Sequence, residues 1–91
     1  MEDCVVDFNK EPYFINEWGV KWWFDSSFTK YAQKKGLNNL RVWAVQQNDG
    51  TRNYVITEQD GDYAEVIYEA KNIEQVYYHI DFLWLLVKKK R

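Results

Sequence analysis

Leu40-Arg41-Val42-Trp43-Ala44-Val45-Gln46-Gln47-Asn48-Asp49-Gly50-Thr51-Arg52-Asn53-Tyr54-Val55-Ile56-Thr57-Glu58 is the stretch that decides the fold class. Leu40–Val45 and Asn53–Glu58 alternate with a period of two, which sends successive side chains to opposite faces of a sheet. Asp-Gly between two such runs is a strong hairpin signal, because both central residues of a type I′ turn need positive φ. With Asp49 and Gly50 as the two turn residues, Asn48 pairs with Thr51 and the register follows. Arg41 then faces Glu58, Trp43 faces Ile56 and Val45 faces Tyr54 on one side of the sheet. On the other side Val42 faces Thr57 and Ala44 faces Val55. One opposite-charge pair and several aromatic–aliphatic pairs are favourable cross-strand neighbours.

Toward the C-terminus, Gln59-Asp60-Gly61-Asp62 marks a second turn and Tyr63–Glu69 a third strand. Its alternation separates Ala64, Val66 and Tyr68 from Glu65, Ile67 and Glu69. The Ala64/Val66 side is expected to continue the Val42/Ala44/Val55 face and to form the core side of a three-stranded antiparallel meander. The last element reads as a helix capped by Asn72, with Glu74 in its first turn and Gln75 placed for a capping box. At 100° per residue Ile73, Val76, Tyr77, Ile80, Leu83, Trp84 and Val87 fall within about 120°, a core-facing stripe. Tyr78, Phe82, Leu85 and Leu86 form a second apolar stripe on the back. Two coverings of it are open: the Tyr13–Phe24 segment wrapped over it, or another chain, which makes these four the candidate self-association residues of a homodimer.

Toward the N-terminus, Asp25-Ser26-Ser27 offers helix-capping oxygens ahead of Phe28, Tyr31, Ala32 and Lys35 at three-and-four spacing. Gly36 then suits a left-handed cap, with Leu37 as its apolar contact. Tyr13–Phe24 is rich in aromatics but has no clean period, and it reads as an extended segment. Cys4-Val5-Val6 reads as a short strand. The whole is an α+β domain over residues 1–91: a three-stranded meander packed on a C-terminal helix, with a short N-terminal helix and an aromatic-rich extended segment.

Composition narrows the function. The chain has 91 residues, 29% of them charged and 46% hydrophobic, a globular balance, with one cysteine, so a disulfide framework and multi-cysteine zinc motifs are excluded. Aromatics reach 19%, which suits both core filling with large rings and an aromatic contact surface. The formal charge of −2 is uneven, because four of the twelve bases are the terminal Lys88-Lys89-Lys90-Arg91. Asp49–Glu69 holds six acids against Arg52 alone. An acidic body argues against binding to a phosphate backbone; the contrary reading combines Lys30, Lys34, Lys35 and the terminal cluster with Trp22 and Trp23 as stacking platforms. The start of the chain lacks the basic and apolar pattern of a secretory signal, and Phe82–Val87 is too short to span a membrane. Cytoplasmic location and no membrane contact are the expectation.

The catalytic inventory is thin. His79 is the only histidine, and Ser26 and Ser27, the only serines, are committed to a helix start, which leaves a Ser/His/Asp arrangement without support. Cys4 lies among Glu2, Asp3 and Asp7, which disfavour a thiolate partner for His79. Asp60-Gly61-Asp62 lacks the remainder of a calcium loop, and the glycines stand singly rather than as a phosphate-cradling loop. No enzyme activity, metal or cofactor is expected.

What remains is binding. Glu58, Asp60, Asp62, Glu65 and Glu69 are the candidate partner-binding residues, an acidic surface that would meet a basic protein, such as one that handles nucleic acid. In size, acidity and element order the chain is similar in a general way to small phage-encoded inhibitors, anti-CRISPR proteins among them. That likeness of outline implies an inhibitor, and no motif carries it. The other readings are a structural homo-oligomer assembled through the back of the last helix and a nucleic-acid-binding accessory protein.

Overall fold

A computed structural model describes residues 8–89. The expected strand at Cys4-Val5-Val6 lies outside them. The elements are β1 (Phe14–Ile15), β2 (Lys21–Asp25), α1 (Ser26–Lys34), β3 (Leu40–Gln46), β4 (Arg52–Asp60), β5 (Tyr63–Ala70) and α2 (Ile73–Lys89). The class is α+β, with one antiparallel sheet in the order β1-β2-β3-β4-β5 and both helices packed on the same face.

The sheet has five strands where the sequence suggests three. The Tyr13–Phe24 segment supplies the other two and adds them to the free edge of β3. Its turn is built on a side chain: Asn16 Oδ1 accepts from the backbone N–H groups of Trp18 and Val20, both at 3.0 Å. A two-residue β1 closed by such a turn leaves no alternating run to read.

The β3–β4 hairpin forms, but one residue out of the expected register. Leu40 faces Glu58, Arg41 faces Thr57, Val42 faces Ile56, Trp43 faces Val55 and Ala44 faces Tyr54. The loop has three residues, Asn48-Asp49-Gly50, because Gln47 N–H donates to the Thr51 carbonyl at 2.8 Å and Gly50 N–H to the Gln47 carbonyl at 3.0 Å. Only Gly50 takes positive φ, at 89°. Asp49 spends its carboxylate on Thr51 N–H (2.9 Å) instead, giving the turn-plus-left-handed-residue loop that competes with type I′.

That shift, with a bulge in β5, redraws the core side. Ile56 faces Tyr68 and Thr57 faces Val66, so Ile67 is an extra residue between them. The helix-covered face therefore carries Val42, Ala44, Tyr54, Ile56, Tyr68 and Ala70. Val42 and Ala44 are on the side the alternation suggests. Val55, Ala64 and Val66 are not: they lie on the opposite face with Trp43.

Both ends of α1 and the start of α2 have legible causes. Asp25 caps α1, its Oδ1 accepting from Phe28 N–H at 3.0 Å. At the other end Leu37 N–H reaches the Ala32 carbonyl (3.1 Å) and Gly36 N–H the Gln33 carbonyl (2.9 Å), with Gly36 at φ 87°, a Schellman closure. Asn72 Oδ1 accepts from Gln75 N–H at 3.0 Å, and Gln75 Oε1 reaches back to Lys71 N–H at 2.7 Å. Phe28 and Ala32 of α1 meet Val76 and Ile80 of α2 over Val42 and Ile56, all fully buried.

The back of α2 is not wrapped. With Tyr13–Phe24 drawn to the far edge of the sheet, Tyr78 stays 70% exposed, Phe82 54%, Leu85 49% and Leu86 43%. Of the expected core stripe, Val76 and Ile80 are fully buried, whereas Ile73 and Val87 are exposed.

Candidate functional site

The five acids singled out in the sequence are all exposed, and the register sorts them. Glu58 shares the helix-covered face with Leu40, its ladder partner, and Glu65 stands directly opposite Glu58 on β5. Asp60 ends β4, and Asp62 sits in the turn beside it. These four gather at one end of the β4–β5 hairpin. Glu69 faces Val55 and lies on the other side of the sheet. Among the described residues no ion pair or hydrogen bond neutralises Glu58, Asp60, Asp62 or Glu65. Like charges directly opposite in a ladder are unfavourable neighbours, and Glu58 and Glu65 occupy such a pair.

Beside that pair opens an apolar groove of about 550 Å³ between the C-terminal half of α2 and the loop after α1. Leu37, Leu40, Ile67, Leu83, Leu86 and Val87 line it, and Glu58 stands at its side. Three local features make the groove. The Schellman closure turns Leu37 inward, the β5 bulge brings Ile67 to the helix side, and α2 runs on beyond the sheet contacts at Val76 and Ile80. His79 also lines it, stacked face to face on Tyr68 with centroids 3.9 Å apart and planes at 5°. Burial there pushes the imidazole below its ordinary value.

The opposite face of the sheet has no helix over it and is tiled with rings. Trp43 is the hub, with centroid distances of 5.3 Å to Tyr13, 5.8 Å to Phe14, 5.9 Å to Trp22 and 5.4 Å to Phe24. Its indole N–H donates to Thr57 Oγ1 at 3.0 Å and fixes the ring. Tyr13 remains 73% exposed and Trp18 70%. This surface escaped the sequence reading because Tyr13–Phe24 showed no period. Adjacent positions on β2 send Trp22 to this face and Trp23 to the helix side, where Trp23 is 6% exposed and donates to the Lys10 carbonyl at 2.9 Å. The two tryptophans are therefore not brought together as one stacking platform.

Two of the helix cations, Lys35 and Lys88, are engaged locally. Lys35 pairs with Asp81 at 3.4 Å and lies 4.8 Å from the Trp84 ring centroid, and Lys88 lies 4.9 Å from the same ring. Tyr31 donates to Asp81 at 2.7 Å, and burial together with that carboxylate pushes its phenol up. Asp81 thus ties α1 to α2. Among the described residues no group of three or more His, Cys, Asp and Glu side chains is placed to hold a metal ion. No helix among them is long and apolar enough to cross a membrane.

Comparison of the chain with protein-family models, with curated proteins and with solved structures finds no match. The functional reading therefore rests on the residues themselves.

Proposed function

We propose that the protein is a non-enzymatic protein-interaction module whose hairpin carboxylates receive a basic, partly apolar segment of another protein. One observation carries this reading: Glu58 and Glu65 stand opposite each other with no cation paired to them among the described residues, and Glu58 borders an apolar groove. A Lys or Arg brought between them relieves the repulsion, and a neighbouring apolar side chain gains burial in the groove, about 1.5–3 kcal/mol for a Leu-sized group. Asp60 and Asp62 extend the negative field and speed encounter with a positive partner. Proteins that handle nucleic acids carry such basic surfaces, and a module that occupied one would act as an inhibitor.

Fluorescence anisotropy of a labelled Lys/Leu-rich peptide tests the reading. Binding is expected to weaken at least about tenfold when salt rises from roughly 50 to 500 mM. Glu58→Gln with Glu65→Gln should abolish it, whereas Glu69→Gln, on the other face, should leave it unchanged. Equal binding by the Glu58/Glu65 double variant would discard the reading.

A further inference from the structure

We propose that two copies of this chain pair antiparallel through the back of α2. Tyr78, Phe82 and Leu85 follow one another at a four-then-three spacing, with Leu86 alongside, and all four are exposed although they share one side of a 17-residue helix. At 100° per residue they span about 100°, the width of a stripe that another helix covers, and the four-three spacing is that of a two-helix seam. Among the described residues no other element covers them, because the aromatic segment able to do so is built into the sheet.

Charge selects the second copy and its direction. The first turn of α2 carries Glu74, and its last turn carries Lys88 and Lys89, which the sequence follows with Lys90 and Arg91. A parallel pair sets the cationic ends side by side, and the helix dipoles repel as well. An antiparallel pair sets each cationic end beside the other copy's Glu74. Centring the two-fold axis at Phe82 lays Tyr78 of one copy across from Leu86 of the other and brings Glu74 within one helical turn of the other copy's Lys88. The same operation sets Phe82 against its own copy and Leu85 against the ring of His79, an isologous contact that closes and cannot propagate. This goes beyond the hairpin carboxylates, which the pairing does not use, although Leu86 borders both the groove and the seam.

Sedimentation velocity over a concentration series of the full chain provides the first test. A species of twice the 11.1 kDa chain mass is expected, and a chain that stays monomeric into the high-micromolar range overturns the proposal. Phe82→Glu with Leu85→Glu should return the monomer with an unchanged circular dichroism spectrum; Tyr78→Lys serves as a milder second variant. A dimer that survives both belongs to another surface and overturns the proposal. Glu74→Lys should raise the dissociation constant several-fold, and Lys88→Glu with Lys89→Glu on that background should restore it. For direction, in a Cys4→Ser background, Tyr78→Cys chains should cross-link with Leu86→Cys chains and not among themselves. Self-cross-linking of Tyr78→Cys without the mixed product would mean a parallel pair and overturn the geometry. Glu58→Gln with Glu65→Gln should leave the dimer intact, which separates failure here from failure of the binding reading.

Discussion

Asp25 occupies the point where β2 becomes α1, and its two carboxylate oxygens have different fates. Oδ1 caps the helix, while Oδ2 is buried without a hydrogen-bond partner, in a residue only 2% exposed. Burial pushes its pKa above the ordinary 3.8, against the pull of the Phe28 and Ser27 N–H groups. A carboxyl with a raised folded-state pKa favours the fold fully below the unfolded value, and that contribution is lost as pH rises through the folded value. Asp25→Asn keeps a good capping oxygen and removes the charge, so urea melts should show it at least as stable as the parent at pH 7. Its advantage should grow as pH rises from about 4. Asp25→Ala should instead lose about 1 kcal/mol. Next to it, Thr29 Oγ1 donates to the Asp25 carbonyl at 2.7 Å and accepts from Val42 N–H at 3.0 Å. Thr29→Val strands that buried N–H and is expected to cost about 1–3 kcal/mol. His79 has the opposite proton bookkeeping to Asp25. Its lowered folded-state pKa means that the unfolded chain binds the proton more readily, so stability should fall as pH drops below about 6.5. His79→Phe, which keeps a ring on Tyr68, should flatten that part of the pH–stability curve.

At the scale of elements the hairpin is instructive. Both faces of β3 are apolar, with Val42 and Ala44 on one and Trp43 and Val45 on the other. Alternation therefore announces a strand without announcing its outer side. Size makes that decision: small Val42, Ala44 and Ala70 let two helices approach, and Trp22 and Trp43 go to the face no helix covers. The three-residue loop depends on Gly50 at φ 89°. Gly50→Ala should cost about 1–2 kcal/mol, and Gly50→Asn less. The register itself predicts a close Cα–Cα approach of Trp43 to Val55 by nuclear Overhauser effects; an approach of Trp43 to Ile56 in its place would refute it. The helix caps were readable because each uses local chemistry within four residues: Asp25 to Phe28, Gly36 to Gln33 and Asn72 to Gln75. The β5 bulge was not, since Val66-Ile67-Tyr68 is a continuous apolar run and Ile67 becomes the extra residue only against β4.

For the whole molecule, a sheet covered on one side gives a flat body of 42 × 32 × 18 Å. A single helical layer buries one face only, so ring-to-ring contact has to hold the other. Four rings converge on Trp43, and at about 0.5–1.5 kcal/mol per pair Trp43→Leu should cost at least about 2 kcal/mol in urea melts. The same variant should leave peptide binding at Glu58 and Glu65 intact, since that site is across the sheet.

The candidate site was legible in its charges and not in its shape. Asp49–Glu69 announces its acidity directly, but the separation of Glu69 from Glu58 and Glu65 follows from the register and the bulge. The groove beside them needs Leu37, Ile67 and Leu86, residues far apart in the chain that no local pattern links. Composition, the alternating runs, the caps and the two-sided apolar pattern of the last helix were determined by sequence alone, because each depends on neighbours within a few residues. Strand count, ladder register, the core side of β4 and β5, and the bareness of the back of α2 were decided only by the tertiary structure. Each of these is a competition between distant segments for the same edge or face, and such competitions are settled by packing volume and backbone hydrogen bonds.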